Sequence, residues 1–271
     1  MEDSTRGCWK QAAIGCGVMI FLAIAIPLIL GVMMMSPLKR AIDTRQGIEE
    51  RFGPQEAYVP PASGVPSSER IEIFLAVRRA LKGPCADLSA AEEKVQALEE
   101  FDDHDEIDRM EVMKQAFSMT KSMMGVGPVI SRLYEIRNHN LLESEMGLGE
   151  YTYIYAVAYR DQLIEPPDHD QLFGPGATNR RIRRALLAML ENQLENLQNE
   201  GGGESETTAL EAEIEAMKED GDRMLWQDAL PPAIDEALTP HRAQLDELFC
   251  PAMAPIDLMI NEAHGPAVES R

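Results

Sequence analysis

The sequence predicts an all-α protein: an N-terminal transmembrane helix followed by a bundle of about six or seven helices, including a C-terminal antiparallel helical hairpin. Three observations predict it. Ala12 to Ser36 is a run of 25 residues without one charge. Aromatics are only 6% of the chain while Met, Leu and Ala abound, a mixture that suits packed helices better than a sandwich or barrel. Through much of the remaining chain, apolar residues recur at three- and four-residue spacing.

Residues 1–11 are a short flank, and residues 12–36 are the transmembrane helix. The apolar run lies between Lys10 and Lys39-Arg40. At 1.5 Å per residue it crosses a hydrocarbon core of about 30 Å with some tilt. Trp9 stands at the interface, and Pro27 is tolerated with a kink. The run is too long for a cleaved signal peptide, and Met33-Met-Met-Ser-Pro37 offers no small-x-small cleavage site. Cys16 precedes most of the run, which does not fit lipoprotein processing. Ala12/Cys16 and Ala13/Gly17 set small residues four apart, a spacing that permits a homo-oligomer through the transmembrane helix.

Residues 37–66 read as a stalk and Pro-rich linker. Leu38 to Arg51 continues as a polar helix, and Phe52 to Pro66 is an extended linker or a strap laid across the domain. The helical domain spans 67–260. Ser67-Ser68 offers an N-cap, followed by Ile71, Phe74, Leu75, Val77 and Leu81 on one face. Gly83-Pro84 predicts an interruption, after which Leu88, Ala91, Val95 and Leu98 form a seam. Asp102 to Asp108 marks a turn, and Ile107, Met110, Met113 and Phe117 resume the helical period. Val129 to Met146 reads as a helix ending at Gly147, and the Tyr-rich stretch from Glu150 to Leu163 as another. The hairpin has Leu187, Leu190, Leu194 and Leu197 on one seam. Leu210, Ile214, Met217 and Met224 lie on the other, with Gly201-Gly-Gly203 between. Five prolines between Leu230 and Ile260 keep the last helices short, and residues 261–271 read as a disordered tail.

The net charge is −21, and the chain from Ala41 onward holds 21 of the 25 basic and 44 of the 46 acidic residues. Such a surface repels nucleic acid and anionic lipid head groups, so no nucleic-acid partner is expected. No phosphate-binding loop, dinucleotide fingerprint, zinc-protease motif or nucleophile elbow occurs, and no cofactor is expected. Glu135, His139 and Glu143 have i, i+4, i+8 spacing. On one helix face they would set an imidazole between two carboxylates, a candidate metal site. The plainer reading is a surface ladder, because helical di-metal sites use three-residue Glu-x-x-His spacing with more carboxylates on other helices.

Two clusters are candidate partner-binding residues. Tyr151, Tyr155 and Tyr159 form a stripe that suits either core packing or a Tyr-lined groove. Arg180, Arg181, Arg183 and Arg184 stand at the start of a helix, where cations oppose its dipole. They suit an anionic or acidic partner, or ion pairs with the protein's own surface. Cys85 and Cys250 are the only cysteines of the body. They read as a disulfide in an extracytoplasmic domain or as two unrelated buried thiols.

The chain also resembles a family of bacterial membrane-anchored proteins to which no activity is attached. The resemblance is carried by Arg51-Phe-Gly-Pro-Gln-Glu-Ala-Tyr-Val-Pro-Pro61 and Met146-Gly-Leu-Gly-Glu-Tyr-Thr-Tyr-Ile-Tyr155. It implies a single-pass protein of a bacterial inner membrane. The cysteines put the body on the periplasmic side, whereas Lys39, Arg40, Arg45 and Arg51 lean toward the cytoplasmic side. The expected function is a non-catalytic scaffold or accessory protein whose acidic body binds a protein partner. The alternatives are a metal- or carboxylate-dependent hydrolase using Glu135, His139, Glu143 and Glu150, and a lipid- or small-ligand-binding bundle with a Met-rich pocket.

Overall fold

The computed structural model describes residues 43–99, 127–164, 175–201 and 203–254. Among these residues every regular element is helical. Helix α1 covers residues 43–52, α2 Ser68–Glu99, α3 residues 127–143, α4 Leu148–Ala158 and α5 Arg160–Ile164. Then come α6 Pro175–Glu200, α7 Glu204–Glu219, α8 Pro232–Leu238 and α9 Arg242–Leu248. Tight 3₁₀ turns occur at Gln55–Ala57, Thr239–His241 and Pro251–Met253. The count exceeds the expected six or seven because α5, α8 and α9 have only 5, 7 and 7 residues.

The segments expected to form a transmembrane helix, the Asp102 to Asp108 turn, the helix through Met110 and Met113 and the tail at 261–271 lie outside the described residues. Among the described residues no helix is long and apolar enough to cross a membrane.

Helix α4 is the centre of the bundle. Its sequence is apolar nearly all round, and such a helix must be covered on every side. All of its residues except Glu150 are buried. On one side lies α2, whose Phe74 ring is 5.2 Å from Tyr151 and 6.0 Å from Tyr159. On another lies the strap, residues 53–66. A Cβ on Gly149 would sit 2.4 Å from both the Gln55 carbonyl oxygen and the Tyr58 Cβ. Glycine is therefore what lets the strap and α4 meet.

Helix α2 starts where the sequence places it: the Arg70 amide donates to Ser67 Oγ at 3.3 Å. It then runs through Gly83-Pro84 as one helix of 32 residues, where the sequence predicted a break. An interior proline costs about 3 kcal/mol. Pro84 is buried, and Cys85 beside it is bonded to Cys250, so packing and the cross-link hold this turn against that cost.

Helix α1 is no free stalk. Ile48 is fully buried in the common core, and Arg51 donates to the Leu142 carbonyl and pairs with Glu145 at the end of α3.

Helices α6 and α7 form the predicted hairpin, turned by Gly201 at φ +73°. The pairings Gln198–Glu211, Glu191–Lys218 and Arg183–Asp220 run in opposite chain directions, so the two helices are antiparallel. Leu190 and Leu197 are buried, whereas Leu187 and Leu194 are only half-buried. Alongside them α6 buries Ile182, Leu186 and Met189. On α7 the seam stops at Met217, because the helix ends at Glu219 and Met224 reaches the core from the following loop.

Candidate functional site

The candidate metal residues sit on α3 but stay at the surface. His139 Nε2 lies 3.2 Å from Glu143 Oε1, with side chains 63% and 65% exposed. Glu135 is half-buried two turns before Glu143. Among the described residues no three His, Cys, Asp or Glu side chains converge in a way that could hold a metal ion.

The tyrosines line the core rather than a groove. Tyr151, Tyr155 and Tyr159 are each 0% exposed. Their rings pack on Phe74 and on one another, with Tyr155 and Tyr159 4.8 Å apart. The stripe is buried because α2 and the C-terminal segment cover it. Phe249 closes the far end, 5.0 Å from Tyr159.

Arg78 reaches into this aromatic cluster. It is 1% exposed and donates to Tyr151 Oη at 3.1 Å and to the Leu248 carbonyl at 3.0 Å. Its guanidinium lies over the rings of Tyr155 and Tyr159, at 5.1 and 5.4 Å from their centroids. Arg137 of α3, 2% exposed, stacks over Tyr134 at 4.9 Å on the other flank. The sequence carries a signal for Arg78. It stands four residues after Phe74 and three before Leu81, on the apolar face of α2. Glu213 shows the same signature, between Leu210 and Met217. It is buried, pairs with Arg223 at 3.0 Å and accepts from the Trp226 amide at 2.6 Å. Trp226 itself has φ +54°, and Arg160 Nε holds its carbonyl at 2.6 Å.

The basic cluster splits. The expected position at a helix start is not found: α6 begins at Pro175, which puts Arg180 and Arg181 in its second turn, and their side chains fall outside what is described. Arg184 is exposed. Arg183 donates to the carbonyls of Met217 and Asp220 at the end of α7. Set two turns into α6, this cation serves the C-terminus of the antiparallel neighbour.

Cys85 on α2 and Cys250 are joined in a disulfide with Cα atoms 6.2 Å apart. Around it, Lys82 pairs with Glu247 at 2.6 Å and holds that carboxyl below its ordinary range. Arg79 donates to Gln244 at 3.4 Å.

The strap is held differently. Gln55 Nε2 donates to Thr152 Oγ1 at 2.8 Å inside the core, and Tyr153 Oη donates to the Gly64 carbonyl at 2.6 Å. Burial pushes the Tyr153 and Tyr58 hydroxyls well above the usual tyrosine value. The neighbouring Glu150 pushes Tyr58 further, with Arg70 opposing. Arg70 in turn forks onto Glu150, with Nε to Oε1 at 2.5 Å.

Comparison with known proteins finds no matching family model, no matching curated protein and no matching solved structure. The reading of function therefore rests on this chain alone.

Proposed function

We propose that the chain is a membrane-anchored, non-catalytic scaffold or accessory protein. Its acidic helical body lies on the extracytoplasmic side and binds a protein partner. The observation that carries this reading is the Cys85–Cys250 disulfide, because such bonds form and persist in oxidising compartments and are rare where thiols are kept reduced. The anchor at residues 12–36 supplies the tether, and the net charge of −21 disfavours nucleic acid. The fully buried charges also support an architectural role. Arg78, Arg137 and Glu213 all bond or stack against the protein's own frame.

The test has two parts. In native membranes the two body cysteines should resist a bulky maleimide until a reductant is added, read as a gel shift. Tagged full-length protein, cross-linked and purified in mild detergent, should carry one protein partner at stoichiometric yield by mass spectrometry. Two freely reactive thiols would move the body to a reducing compartment. A preparation with no partner would end the accessory reading.

A further inference from the structure

Between the strap and the outer face of α6 runs an open cleft of about 570 Å³. Glu56 and Val59 stand on the strap side, and Asn192, Glu195, Asn196 and Asn199 on the helix side. The three asparagines are spaced i, i+4, i+7 and so share one face. They span about 10 Å of helix axis at 1.5 Å per residue, the length of about three extended residues at 3.3 Å each.

Helix α6 already holds backbone carbonyls of the strap with carboxamide side chains. Asn192 Nδ2 donates to the Glu56 carbonyl at 2.9 Å. Next to it, Gln193 Nε2 donates to the Pro61 and Ala62 carbonyls, each at 3.1 Å. Asn196 and Asn199 carry the same carboxamide further along the cleft, and neither has a side-chain hydrogen bond among the described residues. A carboxamide offers two donors and an acceptor, which matches a peptide unit whatever its side chain. Val59, 43% exposed, is the one large exposed apolar side chain among the described residues, and it stands at the rim. Among the described residues that line the cleft the charges are the exposed carboxylates of Glu56 and Glu195, and the nearby Lys218, which shares a second groove with Glu195, is paired with Glu191 and Glu215.

We infer that this cleft is a docking groove for an extended segment of a protein partner that carries lysine or arginine. Asn196 and Asn199 hold the backbone of that segment, and Glu56 and Glu195 meet its cation. The inference rests on the partner-binding reading above and names the chemistry of the partner.

The test uses full-length protein in mild detergent. The probes are fluorescein-labelled nine-residue Gly-Ser peptides with Lys-Pro-Lys, Glu-Pro-Glu or Ser-Pro-Ser at the centre; the proline keeps each of them from forming a helix. By fluorescence polarisation the Lys peptide should bind at least about tenfold more tightly than the Glu peptide, a difference of about 1.4 kcal/mol. Asn196→Ala with Asn199→Ala should weaken the Lys peptide about tenfold without moving the melting temperature. Glu56→Lys with Glu195→Lys should reverse the order of the Lys and Glu peptides. Equal binding of all three peptides, or wild-type binding by the asparagine variant, overturns the groove. If the partner captured in the earlier experiment stays on both variants, the groove fails and the accessory reading stands. If no partner is captured but the peptide order holds, the groove's preference for a cationic extended segment stands and the accessory reading fails.

Discussion

The strap at residues 53–66 and the C-terminal segment from Pro232 to Met253 both lie across the bundle, but they are attached by different means. The strap is rich in Gly, Pro and Ala and has few side chains to offer. Helices α4 and α6 therefore reach out to its carbonyls, through Tyr153, Asn192 and Gln193. The C-terminal segment offers its own side chains. It is bonded to α2 by the disulfide, by Lys82–Glu247 and by Arg79–Gln244. Among the described residues Arg78 treats it as the strap is treated, by taking the Leu248 carbonyl. The strap is thus held mostly through its backbone, with Gln55 as its own buried anchor, and the C-terminal segment mostly through its own side chains.

The largest expected effect is on the covalent side. Cys85→Ser with Cys250→Ser should lower stability by about 5 kcal/mol on the chain-entropy account of a long closed loop, read by denaturant melts. A drop below about 1 kcal/mol would show that side-chain contacts alone hold the segment. Next, Arg78→Leu should cost about 3 kcal/mol, since it orphans the Leu248 carbonyl and removes a charged donor from Tyr151. Hydrogen exchange should then rise in α9, with the strap unchanged.

On the strap side, Gly149→Ala should cost about 2 kcal/mol, because its Cβ would overlap the Gln55 carbonyl and Tyr58. Limited proteolysis should cut first between residues 53 and 66. Normal protection there would mean that the strap tolerates displacement. The smallest effect is Tyr153→Phe, about 1 kcal/mol for one buried hydrogen bond.

Alkali sharpens the same contrast. Both Tyr58 and Tyr153 have folded values raised above the ordinary 10.0. Below pH 10 they are neutral whether folded or unfolded, and stability is intact. Above it the unfolded chain ionises first, so stability falls as pH rises. Phe at both positions should flatten that fall, followed by far-UV signal with tyrosinate absorbance alongside.

Much of this was legible in the sequence. Ser67, the 3-4-3 seams and the Gly201-Gly-Gly203 turn mark α2 and the hairpin, since capping and periodicity are local. The Pro-rich composition suggested a strap, and the isolated pair of cysteines suggested a bond. Other features depend on distant partners. The Tyr151–Tyr159 stripe looks the same in a core as in a groove, and only the cover provided by α2 and Phe249 decides between them. Pro84 reads as a breaker until the packing of its neighbours is counted. The Glu135–His139–Glu143 spacing is real, but the opposing ligands it would need come from other helices, and none of the described ones supplies them. Arg78 and Glu213 were recoverable as charges at seam positions.

The disulfide joins residues 165 apart in sequence, and this has a consequence for biogenesis. A chain made from its N-terminus exposes Cys85 long before Cys250 exists. At about 5–20 residues per second the delay is roughly 10 to 30 s. During that interval the first cysteine is a lone thiol in whatever compartment receives it, open to oxidation with other thiols there. Correct closure must wait until the rest of the body has brought α9 against α2. The bond therefore cannot form until nearly all of the body has been made, and a thiol oxidoreductase in that compartment would act late in synthesis.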